Sequence, residues 1–184
     1  SVRDVRHALS AVEHMEWLTE EEDLYWFGMD TANNRVMEIA RKALSVAEHR
    51  LDIEDLQQAV CRSRRLLYED RTGPPAIEVP KHVLREIFAR VPWLSVVQHD
   101  DFVLTEPVSV EDTLNDSELA VAETIRRHGG AIARKTLNKE FVLTGVFSSP
   151  NLQIVLSTSP IIRPLGFGVY GLRGVAVLEN AFSE

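Results

Sequence analysis

Apolar residues recur every three or four positions over most of the chain, which is the spacing of amphipathic helices. In the first 106 residues this spacing predicts four helices: one that ends near Trp17 and Leu18, one at residues 34–47, one capped by Asp52, and one with Pro80 in its first turn. Short bulky runs predict a strand at Leu24–Phe27 and a hairpin made by residues 93–97 and 102–104. The pattern therefore predicts helices followed by short β-hairpins.

The second half of the chain repeats this order after an acidic stretch at residues 105–116, which is predicted to be a linker. Three more helices are predicted, and strands then flank a turn at residues 164–166. The second of these helices has Ala133, Leu137 and Phe141 on one face. The helix boundaries are set by residues with capping or breaking chemistry, namely Asn115 or Ser117, Gly129 with Gly130, Gly145, and Ser149 with Pro150.

One succession of elements occurs three times, which indicates an internal repeat. Each copy has an apolar helix, a bulky pair, a turn and a returning strand, and the pairs are Trp17-Leu18, Trp93-Leu94 and Ile161-Ile162. Two further helices precede these elements in the second and third copies, which is typical of winged helix-turn-helix domains. We therefore predict a mainly α-helical fold with small antiparallel β-hairpins, organised as tandem winged helix-turn-helix units. These are a truncated first unit (1–28), a second unit (34–106) and a third unit (113–174).

The composition is that of an ordinary globular protein, with 184 residues of which 45% are hydrophobic and 26% charged. No stretch reaches the roughly 20 apolar residues of a membrane-spanning helix, and no signal-peptide pattern opens the sequence, so we expect a cytoplasmic protein. The single cysteine, Cys61, is predicted to be a buried structural thiol. Because the chain begins with Ser1 in a helix without a preceding partner element, we expect a piece of a longer protein.

The net charge of −8 disfavours a nucleic-acid partner at first sight, because phosphate contacts require Lys and Arg. The charge is, however, unevenly distributed. Residues 125–184 contain seven basic and three acidic side chains, a net charge of +4, so residues 1–124 carry −12. If the chain binds a polyanion, its last third has the matching charge.

The third unit supplies the predicted contacts to duplex DNA. In a winged helix the third helix enters the major groove, while the hairpin lies against the backbone or the minor groove. The predicted third helix carries outward amides and hydroxyls that can bond base edges, and its start offers free N–H groups to a phosphate. Each basic side chain taken alone is explained equally well as part of a solvated surface. The predicted DNA-binding residues are Arg134, Lys135, Lys139, Ser149, Asn151, Gln153, Ser157, Thr158, Arg163 and Arg173.

Residues 159–174 have the sequence SPIIRPLGFGVYGLRG. This run resembles the terminal wing of helix-turn-helix modules in bacterial DNA-binding proteins, including sigma-factor-like ones, and the resemblance extends over residues 113–174. Residues 34–106 are similar to winged helices of the HARE type, found in transcription-related proteins. The resemblance implies DNA binding through the third helix and wing, in a transcription-related role. The acidity of residues 1–124 departs from this pattern.

Other chemistries have less support in the sequence. The six histidines have no paired cysteine and no His-x-x-x-His spacing, so no metal site is expected. No cofactor motif is complete and nothing indicates catalysis, so we expect neither a cofactor nor an enzyme. The alternative is a protein–protein adaptor, because fold does not fix function. The acidic residues 1–124 and the aromatic run Tyr25-Trp26-Phe27 favour a basic protein partner in that case.

Overall fold

The computed structural model describes residues 2–19, 24–27, 34–68, 79–97 and 101–178. Within these residues lie eight α-helices, one π-helix and three small antiparallel sheets of two or three strands. The predicted combination of helices with small antiparallel hairpins is confirmed at this level. Residues 98–100, which form most of the tip of the predicted hairpin, lie outside the described residues.

The first unit consists of helix α1 at Val2–Ser10 and of strands β1 at Met15–Thr19 and β2 at Leu24–Phe27, which pair antiparallel. The helix ends well before Trp17, where the prediction placed its end. The chain reverses at His14, which has a φ of +64°, and the bulky residues that follow pair with β2 rather than extending the helix. As a result Val5 and Val12 of the predicted apolar face are exposed.

The second unit has helices α2 at Arg35–Val46, α3 at Ile53–Tyr68 and α4 at Lys81–Phe88, and strands β3 at Leu51–Asp52, β4 at Leu94–Val96 and β5 at Asp101–Leu104. The predicted cap at Asp52 is confirmed, since its carboxylate accepts the N–H of Asp55 at 2.7 Å. Pro80 lies at the N-cap of α4, one position before the predicted first turn. The strands form one sheet in the order β3-β5-β4. Strand β3 was not predicted, because two residues are too few to show a period.

The third unit has helices α5 at Val110–Thr113, α6 at Asp116–Arg127 and α7 at Arg134–Leu137, a π-helix at Asn138–Val142, helix α8 at Ser149–Thr158, and strands β6 at Ala131–Ala133, β7 at Ile162–Gly166 and β8 at Val169–Leu172. Its sheet has the order β6-β8-β7. When α5 is set aside and the π-helix is counted as a continuation of α7, the third unit has the same order as the second: helix, strand, helix, helix, strand, strand. The last strand lies in the middle of each of the two sheets.

Capping residues explain where α6 begins and ends. The side chain of Asn115 accepts the N–H of Glu118 at 2.9 Å, and the Glu118 carboxylate accepts the N–H of Asn115 at 3.3 Å, which is a capping box. The helix stops at Gly129 and Gly130, which have φ values of +78° and +90°, as predicted. The preceding segment is not a plain linker, because it contains α5 and buries Leu114 in the core of the third unit.

Each of the two larger units has an apolar core, and each core takes a residue from the unit before it. In the second unit the rings of Phe88 and Phe102 meet edge to face with their centroids 5.5 Å apart. Leu18 of the first unit is buried in that core, and Nη2 of Arg90 donates a hydrogen bond to the Leu18 carbonyl at 2.9 Å. Val46, at the end of α2, is buried in the core of the third unit.

Buried polar contacts also join the second and third units. Nζ of Lys42 lies 2.8 Å from the carboxylate of Glu118, which also accepts a hydrogen bond from Oγ of Ser159 at 2.8 Å. Gly174 has a φ of +66°, and a Cβ on this residue would lie 2.6 Å from the Cβ of Ala47. Only glycine fits this junction without displacing α2, so the two units pack closely against each other.

Candidate nucleic-acid interface

Four of the predicted basic residues are exposed in the third unit: Arg134 and Lys135 in α7, Lys139 in the π-helix, and Arg163 in β7. The start of α7 lies beside the hairpin, because the backbone N–H of Arg134 donates to the carbonyl of Gly168 at 2.8 Å. Strand β8 is the middle strand of the sheet, so Arg134, which follows β6, and Arg163 lie on opposite sides of it.

This basic region contains little compensating negative charge. Glu140 is the single acidic residue between positions 125 and 178. Its carboxylate lies 2.6 Å from Nε2 of His128 and 3.6 Å from Nη2 of Arg127, which hold it against α6. Among the described residues, no carboxylate forms an ion pair with any of the four basic side chains. They therefore present uncompensated positive charge to solvent.

Helix α8 carries the other predicted DNA contacts. Its N-cap is Ser148, whose Oγ accepts the N–H of Asn151 at 3.3 Å. The assignment of Ser149 as the capping hydroxyl is therefore wrong by one residue, and Ser149 is the exposed first residue of the helix. The cap moves because Ser148 has the extended backbone that a cap requires, with φ of −73° and ψ of 153°. Leu152 and Leu156 face the core, as predicted.

The polar residues of α8 differ in what they offer a ligand. The amides of Asn151 and Gln153 are exposed, and each has donors and an acceptor for base edges. The hydroxyls of Ser157 and Thr158 are half-buried and donate to backbone carbonyls of their own helix, at 2.6 Å and 2.8 Å respectively. Their oxygens remain available only as acceptors. Readout by α8 would therefore depend mainly on the two amides.

Neighbouring helices cover α8 on two sides. Toward the start of α6 a cleft of about 410 Å³ separates the helices, and Asp116 lines it together with Asn151 and Thr158 of α8. At the other end of the helix, Nη2 of Arg62 in α3 donates a hydrogen bond to the carbonyl of Leu156. The exposed face of α8 is narrow and mixed, because Ile154 is 54% exposed beside the two amides, and the positive charge comes from α7 and the hairpin.

Arg173 is not a DNA contact, and this part of the prediction is wrong. Its side chain is 1% exposed, and Nε donates to the carbonyl of Pro160 at 2.9 Å. Nη1 lies 3.1 Å from the carboxylate of Asp55 and 3.4 Å from the side-chain oxygen of Gln58, both in α3 of the second unit. Burial lowers the pKa of Arg173 to about 10, and the charge of Asp55 opposes this shift, so the guanidinium remains charged at neutral pH. Arg173 joins the two units.

The turn of the last hairpin lies later in the chain than predicted. Residues 164–166 belong to β7, and Gly166 pairs with Val169, so the turn consists of Phe167 and Gly168. Both turn residues have positive φ values, +48° and +75°. Phe167 is a candidate that the sequence reasoning missed. The signal was present as a bulky residue between two glycines, where a two-residue turn is expected.

Cys61 is buried in α3, as predicted. In the ranges that the structure describes, no three His, Cys, Asp or Glu side chains lie close enough together to hold a metal ion. None of the helices in those ranges has both the length and the apolar character needed to cross a membrane. Comparisons of the chain with protein-family models, with curated proteins and with solved structures find no match.

Proposed function

We propose that this chain is a transcription-related DNA-binding module, built from tandem winged helix-turn-helix units at residues 1–28, 34–106 and 113–174. The repeated order of elements, and the same strand order in the sheets of the second and third units, support this reading. In it, α8 is the third helix of the last unit and the β7–β8 hairpin, residues 162–172, is its wing. Duplex DNA binds to these two elements of the third unit.

The observation that carries the proposal is the set of exposed cations on and near the wing, none of which forms an ion pair within the described residues. Arg134 and Lys135 start a helix beside the turn of the wing, Arg163 lies in the wing, and Lys139 lies in the π-helix that follows α7. Cations in this position neutralise phosphates and release the counterions that surround DNA, and this release supplies much of the affinity of such proteins. The net charge of −8 does not oppose local binding, because the acidic residues are concentrated before position 125.

The wing and α8 have different parts in this binding mode. Phosphate contacts from Arg134, Lys135 and Arg163 position the duplex without reading its sequence. The exposed amides of Asn151 and Gln153 can then make paired hydrogen bonds to adenine in the major groove. The first turn of α8 adds little to phosphate binding, because Pro150 has no N–H and the N–H groups of Asn151 and Leu152 donate to Ser148.

The test is the binding of the complete chain to a labelled duplex, measured by fluorescence anisotropy between about 50 and 200 mM salt. The complete chain is needed because Asp55 and Ala47 of the second unit contact the third unit directly. We expect the affinity to fall steeply with salt. The double change Arg134→Gln and Lys135→Gln should weaken binding and reduce the slope of log K against log salt by about 0.9 for each phosphate contact removed.

The matched control is the double change Arg50→Gln and Lys81→Gln in the second unit, which removes the same charge. Both side chains are exposed and form surface ion pairs, with Asp101 and with Glu54, that contribute about 1 kcal/mol or less. Binding should be unchanged in this control. Absence of binding at low salt, or an equal effect of the two double variants, would refute the DNA-binding proposal.

A protein–protein adaptor is the second candidate, and the charge of −12 on residues 1–124 favours it. Tyr25, on β2 of the first unit, is exposed and packs edge to face with Trp17, with the ring centroids 5.9 Å apart. A basic partner would fit this acidic surface and its aromatic residues. A partner captured by the wild-type chain after nuclease treatment, and lost on Tyr25→Ala but not on Arg134→Gln, would favour the adaptor.

A further inference from the structure

The tip of the wing carries an aromatic side chain in an unusual position. Phe167 is the first residue of the two-residue turn between β7 and β8, and its relative exposure of 108% means that the whole ring lies in solvent. Its φ of +48° is in the left-handed region, which bulky residues rarely adopt and in which a turn of this kind normally has Asn, Asp or Gly. Neither the fold nor the solubility of the chain benefits from a phenylalanine here.

A strained and fully exposed aromatic residue is the kind of outlier from which a function is argued. The glycines on both sides, Gly166 and Gly168, also have positive φ values, and a Cβ at Gly166 would meet nothing within 4 Å. The ring therefore projects beyond the sheet, with free space on the side of Gly166 and Arg134 near Gly168 on the other side. It is available to a ligand and does not pack on the protein.

The charges around the tip identify the ligand class. Arg134 lies beside the turn, because its backbone N–H donates to the carbonyl of Gly168, and Lys135 follows it in α7. Arg163 lies on the other side of β8, paired in register with Gly171 and four residues before Phe167. An apolar ring at the tip of a hairpin that carries cations beside its turn and along one strand matches the minor groove of duplex DNA, which is about 6 Å wide and has a phosphate strand along each edge. Proteins that bind this groove often insert an apolar side chain between base steps and thereby bend the duplex.

We propose that Phe167 is a wedge that enters the minor groove and partly unstacks one base step, while Arg134 holds a phosphate beside the turn and Arg163 contacts the backbone farther along the hairpin. This inference rests on the proposed DNA-binding function and deepens it. The tip of the wing is then expected to bind at a deformable base step, because pyrimidine–purine steps such as TA unstack most easily. The amides of α8 would read an adjacent major groove. The wedge would select a DNA sequence by the flexibility of its base steps rather than by hydrogen bonds to its bases.

The test compares wild-type protein with Phe167→Asn, using a duplex that has 2-aminopurine beside a central TA step. Asparagine tolerates a positive φ, so this variant should melt at the same or a higher temperature than wild type, which separates any loss of binding from unfolding. We expect wild-type protein to raise the 2-aminopurine fluorescence. Phe167→Asn should bind roughly tenfold more weakly and give no increase, while the salt dependence of its binding stays unchanged.

The control variant is Val96→Thr, which removes an exposed apolar residue from the corresponding hairpin of the second unit and should change neither readout. Equal affinity and equal fluorescence for Phe167→Asn and wild type would overturn the wedge and leave DNA binding by the third unit in place. Tighter binding of the wild-type protein to a single strand than to the duplex would also overturn the wedge. If neither protein binds the duplex at low salt, the proposed function fails together with the wedge.

Discussion

Replacement of Arg173 by methionine removes the buried guanidinium that joins the second and third units and retains much of the side-chain volume. The change removes the hydrogen bond to the Pro160 carbonyl and the contacts to Asp55 and Gln58 in α3. The side chain of Asp55 is 18% exposed, so water can replace part of its lost partner. The Pro160 carbonyl, in contrast, loses the donor that Arg173 supplies from the protein interior.

The size of the effect follows from these contacts. Loss of one partner of a buried ion pair costs about 3–5 kcal/mol. The partial exposure of Asp55 reduces this cost. The variant also no longer buries a charged guanidinium, and this removes the desolvation penalty that lowers the pKa of Arg173 to about 10. We therefore expect a loss of about 2–3 kcal/mol in the free energy of unfolding, which for a chain of this length lowers Tm by about 4–12 °C.

Circular dichroism during thermal and urea unfolding measures this loss of stability. A double-mutant cycle with Asp55→Asn then shows how much of the loss comes from the contact between Arg173 and Asp55. The effects of Arg173→Met and Asp55→Asn should sum to more than the effect of the double variant, because each single change removes the same contact. A Tm of Arg173→Met equal to that of the wild-type chain would refute the junction described here.

The Arg173→Met variant also tests whether Arg173 joins the two units or contacts DNA, and Arg163→Met is its matched control. At a temperature at which both variants are folded, Arg173→Met should bind duplex DNA as tightly as wild type does. Arg163→Met should bind more weakly and change stability by less than about 0.5 kcal/mol, because its side chain is exposed. Weaker DNA binding by Arg173→Met with unchanged stability would place Arg173 at the DNA surface and contradict its burial.

Three further changes probe the fold by thermal unfolding. Gly174→Ala should cost about 2–4 kcal/mol, because its φ is positive and its new Cβ would lie 2.6 Å from a carbon of the second unit. Gly145→Ala is the control and should cost about 1–2 kcal/mol, because it shares the positive φ but its Cβ would meet nothing within 4 Å. Equal costs would argue against the tight junction. Glu118→Ala should cost about 2–3 kcal/mol, because it removes the partner of the half-buried Lys42 ammonium group and half of a capping box. A neutral outcome would contradict that network. Ser148→Ala should cost about 1 kcal/mol and Ser149→Ala less than about 0.5 kcal/mol, and the reverse ranking would return the cap to the second serine.

Local patterns were enough to predict the elements that depend on neighbouring residues. The three- and four-residue spacing of Ile39, Ala43 and Leu44 predicted α2, because these residues face one core. Gly129 and Gly130 predicted the end of α6, because the chain needs a left-handed backbone there. In both cases the information lies within a few residues of the feature.

Features that depend on distant partners were missed or misassigned. Arg173 was predicted to be a surface cation because nothing near it in the sequence indicates burial; its partner Asp55 is 118 positions away. Strands β3 and β6 have two and three residues and take their strand conformation from pairing with β5 and β8, so they show no period of their own. The exposed basic residues of the third unit were predictable because charge is a local property of the sequence, whereas the position of Arg134 beside the turn at Phe167 and Gly168 depends on the sheet.

The placement of Val46 has a consequence for how the chain unfolds. This residue ends a helix of the second unit and yet is buried in the core of the third, so a third unit that unfolds leaves an apolar side chain of its neighbour in water. In repeat proteins such shared surfaces make the stability of one repeat depend on the next one. We therefore expect the two units to melt in a single cooperative transition, and amide hydrogens at the end of α2 and in α8 to exchange with solvent at similar rates.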